Sequence, residues 1–199
     1  MRLVLMLLTL LAAAGCAGQE YDHNYGAEPD PRNSEITLGV GDIVSINVWG
    51  DGNAGLNTEA TIRPDGTITM PLVGDLRAAG EKPSKLKQTI KTRLADFIKL
   101  QGTEVTVAVK EWRSYRFTIQ GEVSRPGVMT ASEYVTVAEA IAMAGDPTRF
   151  AKKSQIVLMR RDPATKQIKR IPIDYDLVAS GKRPDMNIFV LPGDTIYVP

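Results

Sequence analysis

The sequence predicts an α+β protein built of two small units in series. Three observations predict it. Short runs with period-two alternation recur along the chain after residue 36, while one stretch, residues 84–101, spaces its apolar side chains three and four apart. Clusters of Gly, Pro and Asp separate the runs. With 43% hydrophobic residues, the roughly 165 positions beyond the polar N-terminal stretch suffice for two small cores or one of medium size.

Residues 1–15 read as an export signal: Arg2 is a minimal positive region, Leu3 to Ala14 an apolar one, and Ala13, Ala14 and Gly15 lead into Cys16. This twelve-residue run is too short to span a bilayer, which takes about 20 apolar residues. Cys16 is the only cysteine, so it cannot form an intramolecular disulfide, and an uncapped thiol is a liability in an oxidising compartment. The pattern resembles bacterial lipoprotein precursors, in which such a cysteine is acylated and becomes the first mature residue. Ala13 stands where that family usually has Leu, and the competing reading is a secretory signal with a chance cysteine. Ala17, in place of Asp, implies by the same resemblance the outer membrane.

Residues 16–35 are polar and without apolar period, and are expected to form a flexible tether reaching about 25 Å. A first unit is expected over 36–111. Val44, Ile46 and Val48 alternate with polar Ser45 and Asn47 after a Gly39, Gly41, Asp42 turn. Pro64, Asp65 and Gly66 form a tight turn between two β-branched runs, a hairpin signal. Leu86, Ile90, Leu94, Phe97 and Ile98 define one face of a helix that Ser84 can cap and Gly102 can end, before residues 103–111 return as a strand. A second unit is expected over 112–199. A strand meets a turn at Gly121, Pro126 and Gly127 begin another, and Thr136 to Glu139 fit a capping box on a short helix ended by Gly145. Strands at 155–160 and 167–173 flank an Asp162-Pro163 turn, and Pro192, Gly193 and Asp194 turn into the last strand. That Gly-Asp pair echoes Gly41-Asp42, read here as two similar turns and not as a repeat.

Without residues 1–15 the chain carries 23 basic and 23 acidic side chains, so a phosphate-tracking, nucleic-acid-binding role is not expected. Residues 16–111 hold 10 basic and 14 acidic residues, and residues 112–199 hold 13 and 9. Such asymmetry suits neighbouring subunits or an acidic ligand, and also a plain solvated surface. The single histidine, His23, lies in the polar stretch, which leaves the folded units without Ser-His or Cys-His chemistry and without a His-rich zinc site. Asp174 and Asp176 would share a strand face, as a glycosidase pair could, but solvated acids at a strand end are the plainer reading. Trp49 and Trp112 each close a strand-like run, where packing is the default and stacking on a sugar the sharper alternative. No catalytic residue, cofactor or metal is expected.

In order, LGVGDIVSINVWG, IRPDGTITMPLVGDLRAAG, GEVSRPGVM, TVAEAIAMAG, IVLMRR and VLPGDTIYVP resemble the outer-membrane polysaccharide export family, from about Leu38 to Pro199. The resemblance implies a small α/β polysaccharide-export domain followed by a β-grasp (SLBB, soluble-ligand-binding) domain. Gly80-Glu81-Lys82 and Ala144-Gly145-Asp146 depart from the family's usual turns. It further implies a homo-oligomeric ring conducting capsular or exopolysaccharide and docking on an inner-membrane co-polymerase, often a tyrosine autokinase. Long members end in a membrane-crossing helix; the sequence stops at Pro199, which implies a separate outer-membrane β-barrel as partner. A ligand-binding lipoprotein without a conduit role is the alternative, and a carboxylate-based enzyme acting on polysaccharide a distant third.

Overall fold

The computed structural model describes residues 22–50, 56–98, 102–162 and 164–199. Among them, two apolar clusters organise two units. In the first, β1 (Ile43–Trp49) lies between β2 (Thr58–Thr61) and β5 (Glu104–Glu111) in an antiparallel sheet. Val44, Ile46 and Val48 point inward, as the alternation requires. β3 (Thr67–Met70) and β4 (Gly74–Arg77) form a separate hairpin, and α1 (Pro83–Leu94) lays Leu86, Ile90 and Leu94 on the same core. Each such side chain contributes about 1.5–3 kcal/mol by leaving water.

The second unit is a five-stranded mixed sheet in the order β7-β6-β10-β8-β9, with β6 (Arg116–Gly121), β7 (Gly127–Thr130), β8 (Ile156–Arg161), β9 (Ile168–Ile173) and β10 (Thr195–Val198). β10 runs parallel to β6 at the centre of the sheet, and the other pairs are antiparallel. Helix α2 (Val137–Met143) buries Val137, Ala140 and Ile141 in the core. It begins with the capping box: Thr136 accepts the Glu139 N–H, and Glu139 accepts from the Thr136 N–H. Gly121 has φ 94°, and a Cβ there would lie 2.0 Å from the Val198 carbonyl oxygen, so the β6–β10 contact demands glycine.

Several expectations need correction. The Pro64-Asp65-Gly66 turn exists, with Gly66 at φ 81° and Asp65 accepting the Thr67 N–H, but it does not close a hairpin. β2 pairs with β1 and β3 with β4, so the turn passes the chain between two sheets. The long helix ends at Leu94, and Phe97, read onto its apolar face, is 57% exposed. Ser84 does not cap it. Pro83 occupies the first turn, and the Glu35 carboxylate accepts both the Ser84 N–H at 2.8 Å and the Ser84 hydroxyl at 2.6 Å. Trp49 belongs to no core and stands 66% exposed at the end of β1. Asp174 and Asp176 are not a strand pair: Asp174 caps α3 (Tyr175–Ala179) by accepting the Leu177 N–H, and Asp176 lies in its first turn.

Residues 22–35 are no free tether. Tyr25 is 5% exposed within the core of the second unit, and its hydroxyl donates to the Pro172 carbonyl at 2.6 Å. Asp30 and Pro31 then start a 3-10 turn as N-cap and first residue, Glu35 reaches α1, and Leu38 enters the first core. The segment therefore straps both units.

The two Gly-Asp turns share one geometry. Asp42 Oδ2 accepts the Gly39 N–H at 2.8 Å, and Asp194 Oδ2 accepts the Leu191 N–H at 2.7 Å. Gly41 and Gly193 precede them at φ 92° and 86°. Each carboxylate also reaches elsewhere. Asp42, fully buried, accepts the Ser114 N–H at 2.7 Å and its hydroxyl at 2.9 Å, clasping the first unit to the lead-in of the second. Asp194 accepts from Arg160, as described below. Gly39 packs so closely on this clasp that an added Cβ would lie 2.3 Å from Ser114 Cβ. Gly39→Ala is therefore expected to lower the urea-denaturation stability by about 2–3 kcal/mol, through overpacking and a disturbed clasp.

Candidate functional site

β5 ends at Glu111 and β6 starts at Arg116, so four residues, Trp112 to Ser114 with Tyr115, carry the chain between units. The clasp on Ser114 fixes this crossing, and Tyr115 anchors its far side: fully buried, it donates to the Val190 carbonyl at 2.9 Å and accepts the Val135 N–H. Trp112 stacks on Tyr115 with ring centroids 4.6 Å apart and meets Tyr134 edge to face at 4.8 Å. Burial pushes the phenols of Tyr115 and Tyr134 up, so both remain neutral at physiological pH. The Trp112 indole N–H is buried and has no hydrogen-bond partner among the described residues.

Trp112 and Tyr134 wall a cleft of about 840 Å³ at the junction. Its rim is rich in cations. Arg113 pairs with Glu111 at 2.6 Å, Lys110 with Glu59 at 2.6 Å, and Arg32 with Asp30 at 2.8 Å while lying 4.4 Å over the Phe189 ring. Among the described residues Arg116 meets a carbonyl: its Nε donates to Arg113 O at 3.1 Å. Thr130, Ser132 and Glu133 complete the polar side. Sequence reasoning singled out Trp112 but missed Arg116 and Arg32, which no local pattern marks. Asp30-Pro31 was a readable signal that the polar segment is ordered.

A second constellation holds the strap. Arg160 donates to both oxygens of Asp194, through Nε at 3.1 Å and Nη2 at 2.6 Å, and through Nη2 to the Phe189 carbonyl at 2.7 Å. Its Nη1 reaches Glu28 at 2.7 Å, and Glu28 also meets Lys169 at 2.6 Å and His23 at 3.0 Å. Burial pushes the Asp194 carboxyl up against the pull of Arg160. For Glu28 burial again opposes ionisation, yet the Lys169 hydrogen bond and the charges of Arg160, Lys169 and His23 together hold the carboxyl below the ordinary glutamate value.

The sequence-marked turn residues do not converge. Gly39, Gly41 and Asp42 shape the junction; Pro64, Asp65 and Gly66 lie in the first unit, Gly121, Pro126 and Gly127 around β6 and β7, and Pro192, Gly193 and Asp194 before β10. Cys16 lies outside the described residues. Among the described residues no group of three or more His, Cys, Asp or Glu could hold a metal ion, and no helix is long and apolar enough to cross a membrane.

Fold and site thus define a two-domain protein whose distinguishing surface is a cationic, aromatic cleft at the junction. Residues 30–110 match the family profile described as polysaccharide biosynthesis/export protein, and residues 116–173 match the SLBB domain. The chain thus carries a polysaccharide biosynthesis/export domain followed by an SLBB domain. It is similar to the EPS I polysaccharide export outer membrane protein EpsA of Ralstonia nicotianae, 27% identical over 91% of this chain and 57% of the relative. It is also similar to the capsule polysaccharide export outer membrane protein CtrA of Neisseria meningitidis, 24% identical over 84% of this chain and 45% of the relative. A third relative is the exopolysaccharide production protein ExoF of Rhizobium meliloti, 27% identical over 69% and 32%. The chain therefore spans only part of these relatives' length. EpsA and CtrA are named as export proteins, in line with the reading that the chain is not an enzyme.

The strap's electrostatics have a pH sign. Because folding depresses the Glu28 pKa, its contribution is fully present above the ordinary value of 4.5 and is lost as pH falls through the lower folded value. Glu28→Gln is expected to cost about 2 kcal/mol at pH 7. Thermal melts from pH 7 down to pH 3 should show the gap between the two proteins closing below about pH 4.5.

Proposed function

We propose that this protein is a component of a capsular polysaccharide or exopolysaccharide export machine, held at the outer membrane by lipid on Cys16 and facing the periplasm. Its copies assemble into a ring that receives polymer from an inner-membrane co-polymerase and passes it toward an outer-membrane pore. One observation carries the reading: the export-domain and SLBB matches occur in this order on two adjoining units, and relatives named for polysaccharide export align across both. The opposite charge imbalance of the two halves and the exposed apolar residues Trp49, Val128 and Phe150 support contact between copies. The lipid anchor is supported by the sequence around Cys16.

Deletion of the gene is expected to abolish surface or secreted polysaccharide while polymer accumulates inside the cell; unchanged export would refute the role. Cys16→Ser is expected to leave folding intact, remove palmitate labelling and shift the protein from the membrane to the soluble fraction. Continued sedimentation of that variant with membranes would contradict the anchor.

A further inference from the structure

We infer that the cleft at the junction of the two units binds a segment of acidic oligosaccharide, with Arg116 and Arg113 taking its carboxylates and Trp112 and Tyr134 packing on its sugar rings. At about 840 Å³ the cleft lies in the upper part of the range for small-molecule sites, large for a single sugar and suited to a short oligomer. Its lining couples aromatic surface to a few hydroxyls, the pairing that fits a ligand with apolar ring faces and a polar periphery.

The charge pattern selects an anion. Four cationic side chains line the cleft, Arg32, Lys110, Arg113 and Arg116, against the carboxylates of Glu111 and Glu133. Arg113, Lys110 and Arg32 have carboxylate partners, but those pairs are solvent-exposed and individually weak, so a ligand carboxylate can replace them. The Arg116 guanidinium has no carboxylate partner among the described residues, and its planar fork suits bidentate recognition of one.

The inference rests on the export reading for the presence of a glycan, while the site rests on its own geometry. The test uses the full chain in detergent carrying Trp49→Phe, which leaves Trp112 as the only tryptophan. Hexagalacturonate is expected to change the Trp112 emission saturably, at least about tenfold more tightly than maltohexaose or monomeric galacturonate, and more weakly as salt rises. Arg116→Gln and Arg113→Gln should each weaken binding about tenfold, as loss of a charge-assisted hydrogen bond implies, whereas Lys85→Gln on α1 should change nothing. The inference is overturned if hexagalacturonate gives no saturable change, if maltohexaose binds equally well, or if both arginine variants bind like the parent. It is equally overturned if the emission changes with protein concentration alone and sugar has no effect, because a neighbouring copy then fills the cleft. Loss of export on deletion together with absent binding would sink this inference and leave the export reading standing.

Discussion

The architecture depends on one buried carboxylate. Asp42 lies in the turn that launches the first strand of the first unit, and three donors converge on it, one from its own turn and two from Ser114 at the entry to the second unit. A fully buried carboxylate is costly unless its lone pairs are taken up, and removing one donor leaves the full desolvation penalty behind. The crossing from one unit to the other is thereby held in a single arrangement. Trp112 and Tyr115 sit within that crossing, so the cleft wall inherits its position from the clasp.

The N-terminal strap adds a second tie of a different kind. Tyr25 and the Glu28-Arg160-Asp194 chain fasten it to the second unit, and Glu35 and Leu38 fasten it to the first. Burying such an ion network contributes little net stability over an apolar core of equal volume, but a half-broken network is strongly penalised. The network therefore acts mainly to specify where the strap lies. Arg32 travels with it and reaches the cleft rim, so strap and clasp together set the site.

What the sequence displayed was what neighbours along the chain decide. The inward side chains of β1, the buried face of α1, the Thr136 capping box and the glycine turns at 41, 66 and 193 each follow from local periodicity or a backbone demand. Three misreadings involve partners far apart. Glu35 caps a helix 49 positions away, Glu28 pairs across 132 positions, and the turn at Gly66 was read as a hairpin because β-branched runs flank it, although each run pairs with another strand. Polarity made residues 22–35 look unstructured, yet Glu28 is met by Arg160 on β8 and Lys169 on β9. In the same way Trp112 stood out as a rare aromatic, whereas nothing local showed that Arg116 would line the same cleft.

The clasp is tested most directly by the distance between the two units in solution. Spin labels at Thr92 on α1 and Arg170 on β9, in a Cys16→Ser background, report that distance by pulsed dipolar spectroscopy. The account predicts one narrow distribution for this protein and a clearly broader one when Asp42→Ala is added, with both sheets still protected from hydrogen exchange. A broad distribution before that substitution, or an unchanged narrow one after it, would contradict the claim that Asp42 fixes the junction.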